Sequence, residues 1–279
     1  MVLDPMISID AVHALLVAKI RRFFADSNAS KAVIGLSGGV DSALVLALAA
    51  EALGPENVHG IMMPSKFSTK NSVTDAEELS ELNGVKYDVI HISRIYERYM
   101  DELQQFFADG SWTTAQENLQ ARIRANILMA YSNRSGSLLL NTSNKSEISV
   151  GYGTIYGDLC GALMVIGDLY KLQVYDLCKY MNAAKRAIPD AILTKAPSAE
   201  LHPGQKDSDS IPDYSILDPI LFALNEEAKD YETLLKAGVD GNMLTLIANL
   251  RKRSTFKTMQ VPPVLQISSR PLLPDFKCF

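Results

Sequence analysis

The sequence predicts an α/β three-layer sandwich, a parallel sheet of about five strands between helical layers, with a helical C-terminal part. Three observations carry this. Short apolar runs alternate with helix-period segments from residue 31 to residue 143, the pattern of consecutive βαβ units. The strand-length runs are continuously apolar rather than alternating, as strands buried on both faces require. Beyond residue 170 the strand-like runs stop and helical periodicity takes over. A chain of 279 residues, 47% hydrophobic and 21% charged, can bury a full core as a single domain spanning 1–279.

The elements follow in order. Residues 10–24 place apolar side chains at helical spacing, with Asp10 as N-cap. KAVIGLS (31–37) is the first strand. DSALVLALAAEAL (41–53) reads as a buried helix stopped by Gly54-Pro55. VHGIMMP (58–64) is the second strand. SVTDAEELSELNG (72–84) is a helix with a capping box over Ser72–Asp75, ending at Gly84. KYDVIHI (86–92) is the third strand, helices follow at about 94–108 and 113–133, and SLLLNTS (137–143) is the fourth strand. Helices are expected at 173–186, 213–236 and 239–252. The polar segment 197–213 is a long loop, flexible over about 198–212. The proline-rich tail from Val261 should be extended.

Composition excludes several classes. There is no repeat, no low-complexity tract and no apolar run of the roughly 18–20 residues a membrane helix needs. The start, MVLDPMISID, lacks the basic n-region of a signal peptide. Three cysteines, Cys160, Cys178 and Cys278, show no metal-ligand spacing, so a reducing, cytoplasmic setting is expected. A net charge of −5 argues against a nucleic-acid partner, which needs a basic field. A local phosphate site built from backbone amides remains compatible with that charge.

Half of the sixteen glycines fall in two windows, three in 35–39 and five in 151–167, which marks close backbone approach or positive φ. The first window reads Gly35-Leu36-Ser37-Gly38-Gly39-Val40-Asp41-Ser42, between a strand and a helix. Ser37, Gly38 and Gly39 can wrap their amides around an anion, the helix adds its positive end, and Ser42 offers a hydroxyl. A carboxylate at Asp41 would repel a bare phosphate, but makes sense where Mg²⁺ bridges the two. The Gly-Lys-Ser/Thr ending of a Walker A loop is absent. The bland alternative is a tight turn with Asp41 in the first helical turn. Asn141-Thr142-Ser143-Asn144-Lys145-Ser146-Glu147 ends the fourth strand. With strand order 3-2-1-4-5, strands one and four are neighbours, and Asp41 and Glu147 face one crevice where both can hold Mg²⁺. The alternative there is an ordinary helix start, with Thr142 or Ser143 capping and Glu147 in the first turn.

The Ser-Gly-Gly-x-Asp-Ser string resembles the pyrophosphate loop of the N-type ATP pyrophosphatases, which cut ATP between its α and β phosphates. That superfamily includes NAD, GMP, asparagine and argininosuccinate synthetases and tRNA-modifying enzymes. Further blocks resemble the NAD synthetases. They are Glu117–Arg124, Asn144–Glu147, Gly151–Thr154, Tyr156–Asp158, Asp168–Lys171, Lys195–Leu201 and, more loosely, Phe256-Lys257 with Gln260 and Pro262. The blocks fall in family order from about residue 10 to residue 265.

The resemblance implies an adenine nucleotide alpha hydrolase-like fold and an ammonia-dependent NAD⁺ synthetase. That enzyme amidates nicotinic acid adenine dinucleotide (deamido-NAD) through an acyl-adenylate, giving NAD⁺, AMP and pyrophosphate. It implies that Gly35 and the Ser37–Ser42 turn, with Val40, cradle ATP, and that Asp41 and Glu147 ligate Mg²⁺. Thr142, Lys171 and Ser198 match ATP-contacting positions. Arg122 matches a deamido-NAD-binding residue, and Phe256 and Lys257 a pair near the same substrate. Asp41, Glu147 and Lys171 are the expected catalytic groups. A helix over 113–133 with Asn118, Arg122 and Asn126 in one polar stripe suits a cleft lip, and Arg suits a dinucleotide phosphate.

The sequence departs from the ammonia-using pattern in three places. Ile155 stands where many such members carry Lys, Ala162 where they carry Asp, and Lys257-Thr258 replaces a Lys-Arg pair. The stretch Thr154–Gly161 is closer to the glutamine-using branch. About thirty residues precede the first strand, so no N-terminal glutaminase domain is expected, and ammonia would come free or from a separate glutaminase. A homodimer is implied, with the 113–133 helix at its interface. The other classes to weigh are another pyrophosphate-loop enzyme, such as a tRNA-modifying one, and a non-catalytic nucleotide sensor. The four histidines and Trp112 carry structural roles, and Met62-Met63 end a strand where adenine or core could lie.

Overall fold

The structure is a computed structural model that describes residues 8–272. Strands β1 (Ala32–Leu36), β2 (Val58–Met62), β3 (Lys86–Val89), β4 (Leu138–Asn141) and β5 (Leu163–Met164) form one sheet. Its order is β3-β2-β1-β4-β5, the order under which the sequence puts Asp41 and Glu147 on one crevice, and every pairing is parallel. The helices are α1 (Ile9–Asp26), α2 (Val40–Leu53), α3 (Lys70–Leu82), α4 (Ser93–Glu102), α5 (Thr114–Ser135), α6 (Lys145–Val150), α7 (Lys171–Ala184), α8 (Asp190–Thr194), α9 (Tyr214–Asn225), α10 (Tyr231–Lys236) and α11 (Gly241–Ser254).

The strand side chains alternate between two apolar layers. Ala32, Ile34, Leu36 and Leu140 pack with α1, α2, α3 and α7, whereas Val33, Ile61 and Leu139 pack with α4 and α5. Helix α2 is buried all round from Ser42 to Ala50, which explains its Ala- and Leu-rich composition. Each fully buried leucine there contributes about 1.5–3 kcal/mol of transfer free energy. A third cluster, including Tyr170, Leu217, Leu221 and Ile247, joins the helical C-terminal part through α9 and α11.

Several boundaries differ from the sequence expectations, each for a local reason. Helix α1 begins at Ile9 after Ser8, leaving Asp10 in the first turn. Helix α3 begins at Lys70, because Thr69 Oγ1 caps the Ser72 N–H at 3.2 Å, so the expected Ser72–Asp75 capping box is not formed. Helix α4 stops at Glu102 and a 3₁₀ turn follows over Gln104–Phe106. The helix expected at 213–236 splits in two. Ala228 takes a left-handed φ of 55° and Asp230 caps α10 through the Thr233 N–H at 2.7 Å. In the tail, Val264 bridges Met164, and the Leu265 N–H donates to Met164 O at 3.2 Å. Cys278 lies outside the described residues.

Candidate active site

The site lies at the carboxyl ends of β1 and β4, where strand order reverses and an open α/β sheet collects ligands. The turn between β1 and α2 is held by hydroxyls. Ser42 Oγ accepts the Ser37 N–H at 3.3 Å and donates to Gly39 O at 3.1 Å, while Ser37 Oγ accepts the Gly39 N–H at 3.2 Å. Gly38 sits at φ +73°, and a Cβ there would lie 2.3 Å from Ser72 O, so only glycine lets α3 approach the turn. Helix α2 follows with Gly39 as N-cap, so its first amides and its positive dipole end face the crevice.

Three charged groups converge beside this turn. Lys171, the first residue of α7, places Nζ 2.5 Å from Asp41 Oδ2 and 3.2 Å from Glu147 Oε1. Asp41 Oδ1 also accepts from Asn144 Nδ2 at 2.9 Å. Asn144 is the N-cap of α6, its Oδ1 accepting the Glu147 N–H at 3.0 Å while Glu147 Oε2 accepts the Asn144 N–H at 3.3 Å. The cap is therefore Asn144, not Thr142 or Ser143, and it positions both carboxylates. Burial disfavours the charged form of Lys171, but Asp41 and Glu147 outweigh it and hold the ammonium charged. Burial pushes the Glu147 carboxyl up to about 8, with Lys171 opposing.

The donor set fits Mg²⁺ in one way. Two hard carboxylate oxygens beside a phosphate cradle suit an ion that takes one or two carboxylates and completes its shell with phosphates and water. Among the described residues, no group of three or more His, Cys, Asp or Glu side chains could hold a metal unaided.

A cavity of about 610 Å³ opens onto these groups. It is lined by Gly35, Ser37, Gly39, Val40, Asp41 and Ser42 on one side, and by Thr142, Glu147, Lys171, Ser198 and Lys257 on the other. Lys257 Nζ donates to Gly151 O at 2.6 Å and Gly153 O at 2.7 Å, so it clasps the glycine-rich turn after α6. Gly151 itself has φ +70°, and a Cβ would fall 1.9 Å from Ser254 Cβ. Three expected residues, Gly38, Arg122 and Phe256, are not in the lining. Arg122 is exposed with Nε 3.2 Å from Ile155 O, and Phe256 is 57% exposed. Ala162 is drawn into the sheet, its N–H donating to Leu139 O at 2.7 Å.

The face of α5 that lines the cavity is Glu117, Asn118, Ala121, Arg124, Ala125 and Leu128. The expected stripe Asn118-Arg122-Asn126 is one phase off, and only Asn118 belongs to both. Its Oδ1 accepts from Thr154 Oγ1 at 2.7 Å. Arg124, which the sequence marks only as the end of the Glu117–Arg124 block, donates through Nε to Met63 O at 3.0 Å. Burial lowers its pKa to about 10, against the pull of Asp158 and Glu200, so it stays charged at neutral pH. The helical phase of Ala121 and Ala125, small residues that leave room beside Arg124, is the signal that could have found it.

The loop expected to be flexible over 198–212 is tied down at several points. Ser198 Oγ donates to Gln205 O at 2.6 Å, and Glu200 Oε1 accepts from Ser72 Oγ at 2.6 Å and Lys195 Nζ at 2.9 Å. Asp207 accepts from Tyr152 OH at 3.0 Å and Tyr214 OH at 2.9 Å. A second lysine lies behind the site. Lys145, 0% exposed, contacts Asp168 Oδ1 at 2.8 Å, Glu226 Oε1 and Ser268 Oγ, while Asp168 Oδ2 accepts the Ile267 and Ser268 N–H groups at 2.7 and 2.6 Å. Ser146 Oγ donates to Asp218 Oδ1 at 2.5 Å and accepts the Lys171 N–H at 2.9 Å. Cys160 lines the cavity with its thiol pushed up to about 11 by burial, and Cys178 is buried in α7.

The NAD synthase family model matches residues 12–261. The glutamine-dependent NAD(+) synthetase of Synechocystis sp. is 44% identical over 266 residues, 95% of this chain and 48% of that protein. The Aquifex aeolicus protein of the same name is 41% identical over 96% of this chain and 47% of its own length. The chain thus spans about half the length of the curated relatives it matches. Among solved structures, the NH3-dependent NAD synthetase from Campylobacter jejuni superposes with a TM-score of 0.75 at 31% identity, covering 93% of this chain and 100% of that one. The NMN synthetase from Francisella tularensis superposes at 0.78 with 29% identity, covering 96% and 100%. Matched over residues 12–261 and 44% identical to a curated relative across 95% of its own length, this chain belongs to the NAD synthase family.

Proposed function

We propose that the chain catalyses ATP-dependent amidation of deamido-NAD to NAD⁺, with ammonia as the nitrogen nucleophile. The observation that carries this is the convergence of Asp41, Glu147 and Lys171 on the Ser37–Ser42 turn in a chain of this family. A nicotinate carboxylate oxygen attacks the α-phosphorus of ATP, the bond to the β-phosphate breaks, and pyrophosphate leaves. Ammonia then attacks the acyl carbon, loses a proton, and AMP departs. The adenylate is needed because a carboxylate is a poor electrophile.

The turn amides and the α2 terminus hold the polyphosphate, and Lys171 neutralises charge on the leaving pyrophosphate. Asp41 and Glu147 would hold Mg²⁺, which supplies charge neutralisation at the phosphates. Thr142 and Ser198 line the cavity, which supports reading them as ATP contacts. The 198–212 loop, which lines the cavity through Ser198, Glu200, Leu201, Asp207 and Ile211, would close over the adenylate and exclude water. The outer face of α5, with Arg122, Asn126 and Met129 exposed, suits a homodimer contact that would bring Arg122 to the dinucleotide. Ammonia would arrive free or from a glutaminase partner. No helix among the described residues is long and apolar enough to cross a membrane.

Pyrophosphate release tests this, assayed with deamido-NAD, ATP and either ammonium or glutamine. Release that needs deamido-NAD and proceeds with ammonium supports the reading, and its absence contradicts it. The likeness to an NMN synthetase gives a second reading, the same amidation of a mononucleotide acid. Faster turnover of nicotinic acid mononucleotide than of the dinucleotide would select it.

A further inference from the structure

The geometry points to Asp207 as a positioning residue that aims Lys171 through the ring of Tyr214, so that loop closure and orientation of the lysine are one event. This rests on the proposed function for the role of Lys171. Lys171 reaches the site on a side chain with four rotatable bonds, and its ammonium meets a further wall beside Asp41 and Glu147. The third wall is Tyr214, the first residue of α9, whose ring centre lies 5.0 Å from Lys171 Nζ. The ring is fixed at its far end, because Tyr214 OH donates to Asp207 Oδ2 at 2.9 Å.

Asp207 is itself a junction. Its other oxygen accepts from Tyr152 OH at 3.0 Å, on the turn that Lys257 clasps. Its N–H donates to Pro197 O at 3.1 Å, beside Ser198, and its carbonyl accepts the Ile211 N–H at 3.0 Å. The carboxylate is buried, and no lysine, arginine or histidine forms an ion pair with it among the described residues, so two phenols carry its hydrogen bonding. Both phenols hold this buried acceptor, while Glu200 ties the same loop separately to Ser72 and Lys195. Opening the loop removes Asp207 from Tyr214, frees the ring and loosens the wall behind Lys171.

The test uses the full chain carrying Tyr214→Phe, Tyr152→Phe, both together, or Tyr214→Leu. Two readouts are taken: kcat and KM for ATP, and the rate of tryptic cleavage after Lys206, which is exposed. Each single Phe variant should lower kcat by about tenfold and leave KM for ATP within about threefold, and the pair should lower kcat further. Tyr214→Leu, which also removes the ring, should fall below Tyr214→Phe. Cleavage after Lys206 should speed several-fold in both Phe variants while the melting temperature stays within a few degrees. A double variant with wild-type kcat overturns the inference, as does a loss confined to melting temperature. If the wild type releases no pyrophosphate, the proposed function fails instead. The clasp is then judged by cleavage alone, where equal rates in wild type and double variant overturn it.

Discussion

Two lysines 26 residues apart, Lys145 and Lys171, are each gripped by two carboxylates, and they do opposite things. Around Lys145 every polar contact is internal, although Glu226 Oε2 is buried without a hydrogen-bond partner. Asp168 is filled by two backbone amides and Ser268, and the whole group is sealed, with side chains at most 7% exposed. That cluster pins the tail and the end of α9 behind β4. Around Lys171 the carboxylates of Asp41 and Glu147 keep 18% and 14% of their surface and face a cavity. The same charge pattern is a staple where every partner is internal, and a receptor where two partners can still take a ligand.

The comparison breaks most visibly at Lys145. Lys145→Met leaves Asp168 and Glu226 buried without a cation and should cost about 3–5 kcal/mol, seen as a large drop in melting temperature. An unchanged melting temperature would erase the distinction between the two sites. Asp41→Ala should do the reverse. Turnover should fall by about a thousandfold, while the melting temperature moves by only a few degrees, since Lys171 keeps Glu147. Activity retained in Asp41→Ala removes it from the catalytic groups.

The smaller effect sharpens the contrast through pH. Glu147 sits near 8 rather than its ordinary 4.5, with burial as the main cause. Below pH 8 a proton therefore competes with Mg²⁺ for it. Mg²⁺-dependent ATP binding should weaken by up to about tenfold per unit as pH falls and level off above 8. Titration calorimetry at pH 6.5 and 8.5 measures this, and Glu147→Gln should flatten the dependence. Equal slopes in wild type and Glu147→Gln would take Glu147 out of the metal role.

Much of this was legible in the sequence because it is local. The Ser37–Ser42 turn and the continuous apolar strands follow from short-range patterning, whereas the pairing of β1 with β4, about a hundred residues apart, could only be supposed. What escaped was set at a distance. Arg124 faces the cavity only because of how α5 is rotated against β1 and β4, and a rotation of one residue moved the expected stripe outward. Lys145 stands two positions from Glu147 in one motif, and nothing local says that its ammonium turns away to Asp168 and Glu226. The long loop looked free because its anchors, Ser72, Tyr152 and Tyr214, lie on other elements.

The proposed reaction transfers AMP to a carboxylate in this crevice. Deamido-NAD carrying ¹⁸O in its nicotinate carboxylate tests it most directly, by mass spectrometry of the released nucleotide. The account predicts one ¹⁸O atom in the phosphate of AMP, with unlabelled pyrophosphate. Product formed with unlabelled AMP, or with the label in ADP or inorganic phosphate, would contradict it.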